Sequence, residues 1–321
     1  MHQNFNKIVF VTGGAGFIGS NFINKFVPQE KDTLFVNIDC LTYAGDLANV
    51  TVSESQNYIF ENVDIRNVEA LRALFLKYEP KGVIHFAAES HVDLSLKNPS
   101  VFVETNVLGT NNLLLLSKEH KVERFHQIST DEVYGALTAT GDSFTESTPL
   151  APRNPYSASK ASADLMVLAY HRAFGLNTVI TRSSNVFGPQ QDKTKLIPLF
   201  IHRLQNNEKV PLYGKGEQIR EWTYVEDCID AIHTVFTEGK SGEVYNIGSG
   251  NELSNSELTN KLLALFGKDA SAIEYVEDRL GHDFRYSLDA SKIKSELRWK
   301  PGYTFEKGLE ETLSFYKKQG I

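Results

Sequence analysis

The chain has little cysteine and no long apolar run. Cys40 and Cys228 are its only cysteines in 321 residues, which is too few for a disulfide framework. No apolar stretch approaches the roughly 18 residues of a membrane span, and the first residues lead into glycines instead of a cleavable apolar segment. These absences predict a cytoplasmic protein without a membrane partner.

Charge of one sign is not concentrated anywhere in the sequence. The net charge is -7 and no stripe of Lys and Arg occurs, so we expect no nucleic-acid partner. An apolar content of 41% with 11% aromatic residues is enough for a substantial core. The composition therefore favours one large domain or two closely joined ones, in which an anionic ligand would need local donors.

The first half of the chain alternates β-branched or aromatic runs with segments of helical period. We predict strands at 7–11, 33–38, 58–62, 82–86, 124–129 and 177–181, and helices from Gly16 and at 68–78, 99–120 and 155–174. This alternation is typical of βαβ units and predicts a Rossmann-type α/β fold, a doubly wound parallel sheet with helices on both faces.

The sequence pattern changes beyond Asn185: the predicted secondary-structure elements are shorter, and prolines and glycines cluster. We predict a second, smaller α/β substrate lobe made of residues 184–220 and 248–321. Residues 1–183 and 221–247 would form the Rossmann-type domain, because 244–247 has the pattern of another buried strand.

A glycine-rich turn follows the first predicted strand. Gly14, Gly16 and Gly19 give the pattern G-x-G-x-x-G between a strand and a helix, which lets the backbone approach a pyrophosphate. Asp39 ends the next strand, where a carboxylate would bind an adenosine ribose and repel a 2′-phosphate. The pattern predicts NAD in preference to NADP. The alternative is that the glycines serve packing and Asp39 a turn.

Two further motifs indicate redox chemistry combined with elimination. Tyr156 and Lys160 lie one helical turn apart, and a lysine ammonium near a phenol should lower its pKa towards that of a general base. Asp131 and Glu132 follow a strand whose carboxyl end should face the ligand cleft. Because neighbouring carboxyls repel when both are ionised, one can act as acid and the other as base. A solvated Tyr and Lys and an acidic surface turn are the alternatives.

At these residues the chain resembles, over essentially its whole length, the nucleotide-sugar 4,6-dehydratases of the extended short-chain dehydrogenase/reductase group. The selective segment is STDEVYG at 129–135, because related epimerases and decarboxylases usually carry small or hydroxyl residues at the two acids. The other matching segments are TGGAGFIGSNF, DCLTYAG at 39–45, AAESHVD at 87–93, YSASKASAD at 156–164, KLIPL at 195–199, LYGKGEQIREW at 212–222, YNIGSGNE at 245–252 and DRLGHDFRY at 278–286.

The resemblance implies a role for each catalytic candidate. Thr130 would bond the sugar O4, and Tyr156 supported by Lys160 would take its proton as hydride leaves C4 for NAD. Glu132 would remove the C5 proton and Asp131 would protonate the departing C6 hydroxyl. The product would be a nucleoside-diphosphate 4-keto-6-deoxyhexose, and a thymidine nucleotide is favoured over a uridine nucleotide without excluding it.

The resemblance also implies two binding sets. The residues implied around NAD are Gly13, Gly16, Phe17, Ile18, Gly19, Asp39, Leu41, Thr42, Asp64, Ile65, Ala87, Ala88, Thr105, Tyr156 and Lys160. Those implied around the sugar nucleotide are His91, Thr130, Asn185, Lys195, Leu196, Pro211, Tyr213, Arg220, Asn255, Arg279 and His282. Lys195, Arg220, Arg279 and His282 are also cationic donors suited to a diphosphate, although each alone could be a solvated charge. No second ligand stands at metal spacing from His91, and we predict no metal.

The chain departs from the family pattern at several positions. Leu94 stands where Arg is usual, Val186-Phe187 replace Asn-Tyr, Gln190 replaces a common aromatic residue, and Glu221 replaces Asp. These changes leave the chemical residues intact and bear on the choice of sugar or base.

Two predicted helices carry apolar residues over more than one stripe. They include Leu113 to Leu116 in one helix and Leu165 to Leu168 in the other, whereas a monomer's surface helix normally has one apolar face. We expect a homodimer with a four-helix interface, as the resemblance also implies. Burial under the chain's own loops is the alternative.

The sequence is also compatible with two rival functions. A sugar-nucleotide 4-epimerase would use the same cofactor but would need no acid at Asp131. An NAD-binding regulatory protein would have kept the fold and lost turnover, and it would not need Thr130, Asp131, Glu132 or Tyr156.

Overall fold

The computed structural model describes residues 5–278 and 283–319. Its strands are β1 Lys7–Thr12, β2 Thr33–Asp39, β3 Tyr58–Asn62, β4 Gly82–His85, β5 Arg124–Thr130, β6 Thr178–Ser183, β7 Asn185–Phe187, β8 Val210–Tyr213, β9 Ile219–Tyr224, β10 Val244–Ile247, β11 Glu252–Ser254 and β12 Ile273–Val276. Its helices are α1 Phe17–Gln29, α2 Val68–Tyr78, α3 Val92–Lys97, α4 Pro99–Phe102, α5 Thr110–Glu119, α6 Pro155–Phe174, α7 Leu196–Gln205, α8 Val225–Glu238, α9 Asn255–Leu265, α10 Ser291–Leu297 and α11 Phe305–Lys318.

A seven-stranded sheet with the order β10-β6-β5-β4-β1-β2-β3 forms the larger part of the molecule. Each neighbouring pair in it is parallel. Side chains alternate between its faces: Val9 and Val11 enter one apolar cluster, whereas Phe10 enters the other. Both faces are therefore covered, and the predicted Rossmann-type doubly wound fold is confirmed.

The strand order reverses between β1 and β4, because β1 pairs with β2 on one side and with β4 on the other. In open α/β sheets, ligands bind at such a switch point outside the carboxyl ends of the strands. The topology therefore predicts a ligand site at the loops that follow β1, β4 and β5.

The smaller part contains a three-stranded sheet, β11-β9-β7, and a two-stranded one, β12-β8. Phe187 centres an aromatic cluster in this part, with ring centroids 6.3 Å from Trp222 and 5.2 Å from Phe305. The segment 221–247 contributes to both parts, because its first residues lie in β9 while β10 joins the large sheet. The proposed division into two domains stays a prediction.

Local sequence fixes the ends of α6, the helix that carries the Tyr-Lys pair. The Asn154 side chain accepts from the Ser157 N–H at 2.8 Å, and the Ser157 hydroxyl accepts from the Asn154 N–H at 3.2 Å. Pro155 occupies the first turn, and Gly175 ends the helix with φ +68°. The predicted helix 99–120 is less regular, since a π-helical segment, Val103–Gly109, separates α4 from α5.

Within the described part of the chain, no helix has both the length and the apolar character to cross a membrane.

Candidate functional site

A cleft of about 660 Å³ opens at the carboxyl ends of β1, β2, β4, β5 and β6. It brings together predicted cofactor, catalytic and substrate residues from distant parts of the sequence. The predicted residues that line it are Gly13, Gly16, Phe17, Ile18, Gly19, Asp39, Thr42, Asp64, Ile65, Ala87, Ala88, Thr105, Thr130, Asp131, Glu132, Tyr156, Lys160, Asn185 and Lys195.

The glycine turn packs so closely that side chains would not fit. Gly13 has φ +71°, and a Cβ there would lie 2.5 Å from the Ala87 nitrogen. A Cβ on Gly19 would lie 2.4 Å from the Gly13 oxygen. The turn is followed directly by the N-terminus of α1. This helix has no acidic residue in its first turn. Such an end favours an anionic group, so the cradle fits a dinucleotide pyrophosphate.

Asp39 is held at the end of β2 by two backbone donors. Its Oδ2 accepts from the Ala15 N–H at 3.0 Å and its Oδ1 accepts from the Leu41 N–H at 2.9 Å. Leu41 is not among the residues that line the cleft. Its backbone N–H holds the Asp39 carboxylate in place. The fixed carboxylate suits a ribose hydroxyl and disfavours a phosphate in its place.

Asp64, another predicted cofactor residue, is paired with a residue that the sequence analysis missed. The Arg66 guanidinium lies 2.6 Å from Asp64 Oδ2 and also donates to Oδ1. This pairing holds the pKa of the Asp64 carboxyl below its usual value. Arg66 lines the same cleft, so the predicted NAD site carries a cation as well as a carboxylate beside Asp64.

The STDEVYG segment forms the end of β5 and a 3₁₀ turn, Asp131–Tyr134. Thr130 donates to Asp131 Oδ1 at 3.2 Å, and its hydroxyl opposes the rise in the Tyr156 pKa. Asp131 is 2% exposed, and its Oδ2 has no hydrogen-bond partner. An unpartnered buried carboxyl oxygen is costly, and this one belongs to a residue that lines the cleft.

Burial raises the pKa of Asp131 well above its usual value, and the charges of Glu132 and Glu221 raise it further. Burial also raises the pKa of Glu132, although the Asn154 side chain opposes this by donating to Glu132 Oε2 at 3.3 Å. The environment therefore favours the protonated form most strongly at Asp131. This is the separation of acid and base that adjacent carboxyls can provide.

The predicted net lowering of the Tyr156 pKa is wrong. Burial raises the pKa of the Tyr156 phenol, and the neighbouring Glu132 charge raises it further. Lys160 Nζ donates to the Ile128 carbonyl at 2.7 Å, on the adjoining strand. Burial lowers the pKa of Lys160 to about 8, and the Asp164 carboxylate opposes that shift. The rise in the Tyr156 pKa therefore follows from burial and from the Glu132 charge, neither of which the sequence prediction contained.

Of the predicted diphosphate cations, Lys195 lines the cleft and its charge opposes the rise in the Glu132 pKa. Arg220 does not line it. Its guanidinium donates to the carbonyls of Ile219 at 2.8 Å and Asp283 at 2.9 Å, and lies 4.5 Å from the Tyr286 ring centroid. Arg279 and His282 lie outside the described residues.

The remaining predicted substrate residues are not among those that line the cleft. His91 precedes α3, Leu196 begins α7, Pro211 and Tyr213 belong to β8, and the buried Asn255 begins α9. Their assignment to the substrate stays a prediction. Within the part of the chain that the structure describes, no group of three or more His, Cys, Asp or Glu could hold a metal ion.

The departures from the family pattern fall in different surroundings. Val186 and Gln190 line the cleft, whereas Phe187 is fully buried and Leu94 is exposed on α3. Glu221 is fully buried, where it accepts from the N–H groups of Gly250 at 2.7 Å and Leu288 at 2.8 Å. Only the first two can therefore touch a ligand in this cleft.

Several cleft residues were not predicted, among them Tyr43, Glu89 and Arg66. Tyr43 is 52% exposed, and burial and then the charge of Glu89, in the loop after β4, raise the pKa of its phenol. The segments DCLTYAG and AAESHVD contained Tyr43 and Glu89, so position within those segments was the available signal. Their pairing depends on the fold.

A protein-family profile described as GDP-mannose 4,6 dehydratase matches residues 10–312. The low-salt glycan biosynthesis protein Agl12 of Haloferax volcanii is 50% identical, covering 96% of this chain and 98% of its own length. The dTDP-glucose 4,6-dehydratase of Neisseria meningitidis is 46% identical, covering 96% and 92%. The structure of DesIV, a dTDP-glucose 4,6-dehydratase from Streptomyces venezuelae with NAD and dTDP bound, matches with a TM-score of 0.93, 45% identity and 97% coverage of both chains.

Proposed function

The chain belongs to the nucleotide-sugar 4,6-dehydratases, the family of the GDP-mannose 4,6 dehydratase profile, and we propose that it converts dTDP-glucose to dTDP-4-keto-6-deoxyglucose. It is an NAD-dependent hydro-lyase, and the cofactor is regenerated in each turnover. Relatives of this name that share nearly half of its residues support the substrate. A thymidine nucleotide is favoured, and UDP-glucose is the alternative.

The observation that carries the proposal is the buried Asp131 carboxyl with an unpartnered Oδ2. It lies beside Glu132 in the cleft that also holds the glycine turn and Tyr156. A dehydrogenase or a 4-epimerase needs a base at O4 but has no leaving hydroxyl to protonate. Loss of water across a carbon–carbon bond needs an acid in addition to a base, and this pair provides both.

The residues around O4 serve the first step. Thr130 and Tyr156, which both line the cleft, bind the C4 hydroxyl. Tyr156 takes the O4 proton as a phenolate while C4 becomes a ketone, and the Lys160 ammonium stabilises that phenolate against the burial that raises the pKa of Tyr156. NAD, when bound, accepts the hydride from C4 and later returns it to C6.

The two carboxyls serve the elimination. The C4 ketone acidifies the C5 proton, and Glu132 removes it as a carboxylate. Asp131, held protonated by burial, donates its proton to the C6 hydroxyl, which leaves as water. A proton then returns to C5 from Glu132. Glu132 thus returns to the carboxylate, whereas Asp131 ends ionised and Tyr156 ends protonated, so one proton must pass from Tyr156 to Asp131 through solvent before the next turnover.

The cofactor and substrate bind in adjoining regions of the cleft. The glycine turn and Asp39 hold the pyrophosphate and the adenosine ribose, while Lys195 faces the sugar-nucleotide diphosphate from the smaller lobe. Lys195 begins the turn into α7, so residues 184–220 contribute to the substrate side. Arg220 stays a substrate-binding candidate that would have to exchange its backbone partners for a phosphate.

The active form is a homodimer in the cytoplasm. Val103, Leu108 and Leu165 are 55%, 49% and 58% exposed on the two helices from which the interface was predicted. Leu113, Leu114 and Leu116 do not support it, because they are fully buried within the chain itself. An exposed apolar surface on adjoining helices favours a twofold mate.

One assay separates the candidate functions. Purified protein is incubated with dTDP-glucose and, in parallel, with UDP-glucose, and the products are examined by mass and for a base-sensitive 4-keto chromophore. A dehydratase gives a product lighter by one water, an epimerase gives a product of unchanged mass, and a regulatory protein gives none. A higher kcat/KM for UDP-glucose than for dTDP-glucose would contradict the preference for the thymidine nucleotide.

A further inference from the structure

Gln190 joins two parts of the chain that are distant in sequence. Its Nε2 donates to the Asn49 carbonyl at 2.7 Å, and its Oε1 accepts from the Ser20 hydroxyl at 3.0 Å. Ser20 belongs to the first turn of α1, directly after the glycine motif, and Asn49 belongs to the turn after β2. Gln190 itself follows β7 in the smaller part and lines the cleft. We call these two hydrogen bonds the Gln190 latch.

The chemistry of the partners fixes the orientation of the amide. A backbone carbonyl can only accept, so the nitrogen must face Asn49 and the oxygen must face Ser20. Asn49 is itself anchored to the glycine turn, because its side chain donates to the Ala15 carbonyl at 3.1 Å. The latch is therefore tied to the same turn that cradles the pyrophosphate.

The loop that carries Gln190 is also held on either side of it. Asn21 donates to the Pro189 carbonyl at 3.0 Å, and the Tyr316 hydroxyl donates to the Gln191 carbonyl at 2.7 Å. These contacts come from α1 and α11, so the loop beside the cleft is held both by the helix that follows the glycine turn and by α11.

Gln190 adopts an unfavourable backbone conformation. Its φ is +67°, in the left-handed region that residues with a Cβ rarely occupy. Such strain persists where surrounding contacts hold it in place, and it clusters at ligand clamps. The latch and the flanking contacts are the interactions that hold it here.

We propose that the Gln190 latch retains NAD by closing the pyrophosphate end of the cleft. The proposal rests on the proposed function, in which NAD is regenerated at each turnover and never needs to leave. A bridge across the cofactor's exit then slows dissociation without slowing the reaction cycle. Gln190 is a positioning residue in this scheme, because its side chain acts through Ser20 and Asn49.

The test measures exchange of cofactor in the holoenzyme. Protein loaded with NAD is mixed with excess isotopically labelled NAD, and the bound label is followed after rapid desalting. Gln190→Gly removes both hydrogen bonds, while glycine tolerates the positive φ, so the variant adds no backbone strain. We expect exchange to become about tenfold faster, as the loss of two ordinary hydrogen bonds implies.

Two further variants make the result specific. Ser20→Ala removes one hydrogen bond, and we expect a smaller increase; combined with Gln190→Gly it should add nothing, because the partner is already gone. Gln191→Gly is the matched control. The Gln191 side-chain amide donates to the Val186 carbonyl at 2.9 Å, in the strand β7 that directly precedes the loop, so it makes no bond to α1 or to the turn after β2. If Gln191→Gly accelerates exchange as much as Gln190→Gly, loop loosening is the cause and the latch is refuted.

The latch and the proposed function fail in distinguishable ways. If the unaltered protein neither retains nor takes up NAD, the cofactor assignment falls and the function falls with it. If it retains NAD and Gln190→Gly exchanges at the unaltered rate, the latch alone is refuted.

Discussion

Arg182 Nε donates a 2.9 Å hydrogen bond to Asp164 Oδ2, and both side chains are buried. The Ser129 hydroxyl donates to the same oxygen at 3.0 Å, and Arg182 also donates to the Tyr134 hydroxyl at 2.9 Å. Ser129 and Tyr134 flank the two candidate acidic residues. The ion pair therefore connects β6 and α6 to the segment that positions the proposed chemistry.

Asp164→Asn should destabilise the protein by about 3–5 kcal/mol, because it leaves the Arg182 charge buried without compensation. The free energy of unfolding in urea measures the effect. Glu306→Gln is the control: Glu306 pairs with Lys261 at 2.9 Å on the surface, and its loss should cost less than about 1 kcal/mol. Equal losses in the two variants would show that burial of the Arg182 pair does not matter.

Asp131→Asn should slow elimination by about 100-fold or more, because the substituted amide cannot give a proton to the leaving hydroxyl. Oxidation at C4 does not need that proton, so bound NADH should accumulate after mixing with dTDP-glucose. Stopped-flow absorbance of the reduced nicotinamide measures both phases.

Tyr156→Phe is the contrasting variant, because it removes the base for O4 and should prevent NADH formation itself. Full turnover in both variants, or NADH accumulation with phenylalanine at 156, would overturn the roles assigned to the two residues.

Glu221→Gln should move the alkaline limb of the kcat profile to lower pH. Asp131 acts when protonated, and its pKa is raised by burial and then by the charges of Glu132 and Glu221. Removing the Glu221 charge lowers that pKa, so Asp131 loses its proton, and the enzyme its activity, at a lower pH.

Glu221→Asp is the matched control, because it keeps the carboxylate and should leave the limb nearer its original position. Thermal unfolding across the same pH range separates this effect from loss of the bonds to Gly250 and Leu288. An unmoved limb in Glu221→Gln would exclude an electrostatic role for Glu221.

Leu165→Glu should convert the proposed dimer to monomers, since it places a charge at a leucine that is 58% exposed in the chain alone and that the proposed interface would bury. Light scattering at micromolar concentration measures the mass. Leu265→Glu on α9, where the leucine is 40% exposed, should leave the mass unchanged. A monomeric unaltered protein would refute the interface.

The sequence determined the local features of this protein. The alternation of strands and helices, the glycine turn before α1 and the capped start of α6 are each encoded within a short segment. Periodicity and capping act over one or two turns, so they can be read without knowing the fold. STDEVYG likewise placed Asp131 and Glu132 at the end of β5, as predicted.

Only the tertiary structure decided how those segments affect one another. The pKa of Tyr156 depends on burial and on Glu132, and the sequence rule for a Tyr-Lys pair gave the wrong direction because it contained no desolvation. The Gln190 latch and the Arg182–Asp164 pair join residues from separate elements. Hydrogen bonds and desolvation depend on distances and exposure in three dimensions, and one residue's position in the chain specifies neither.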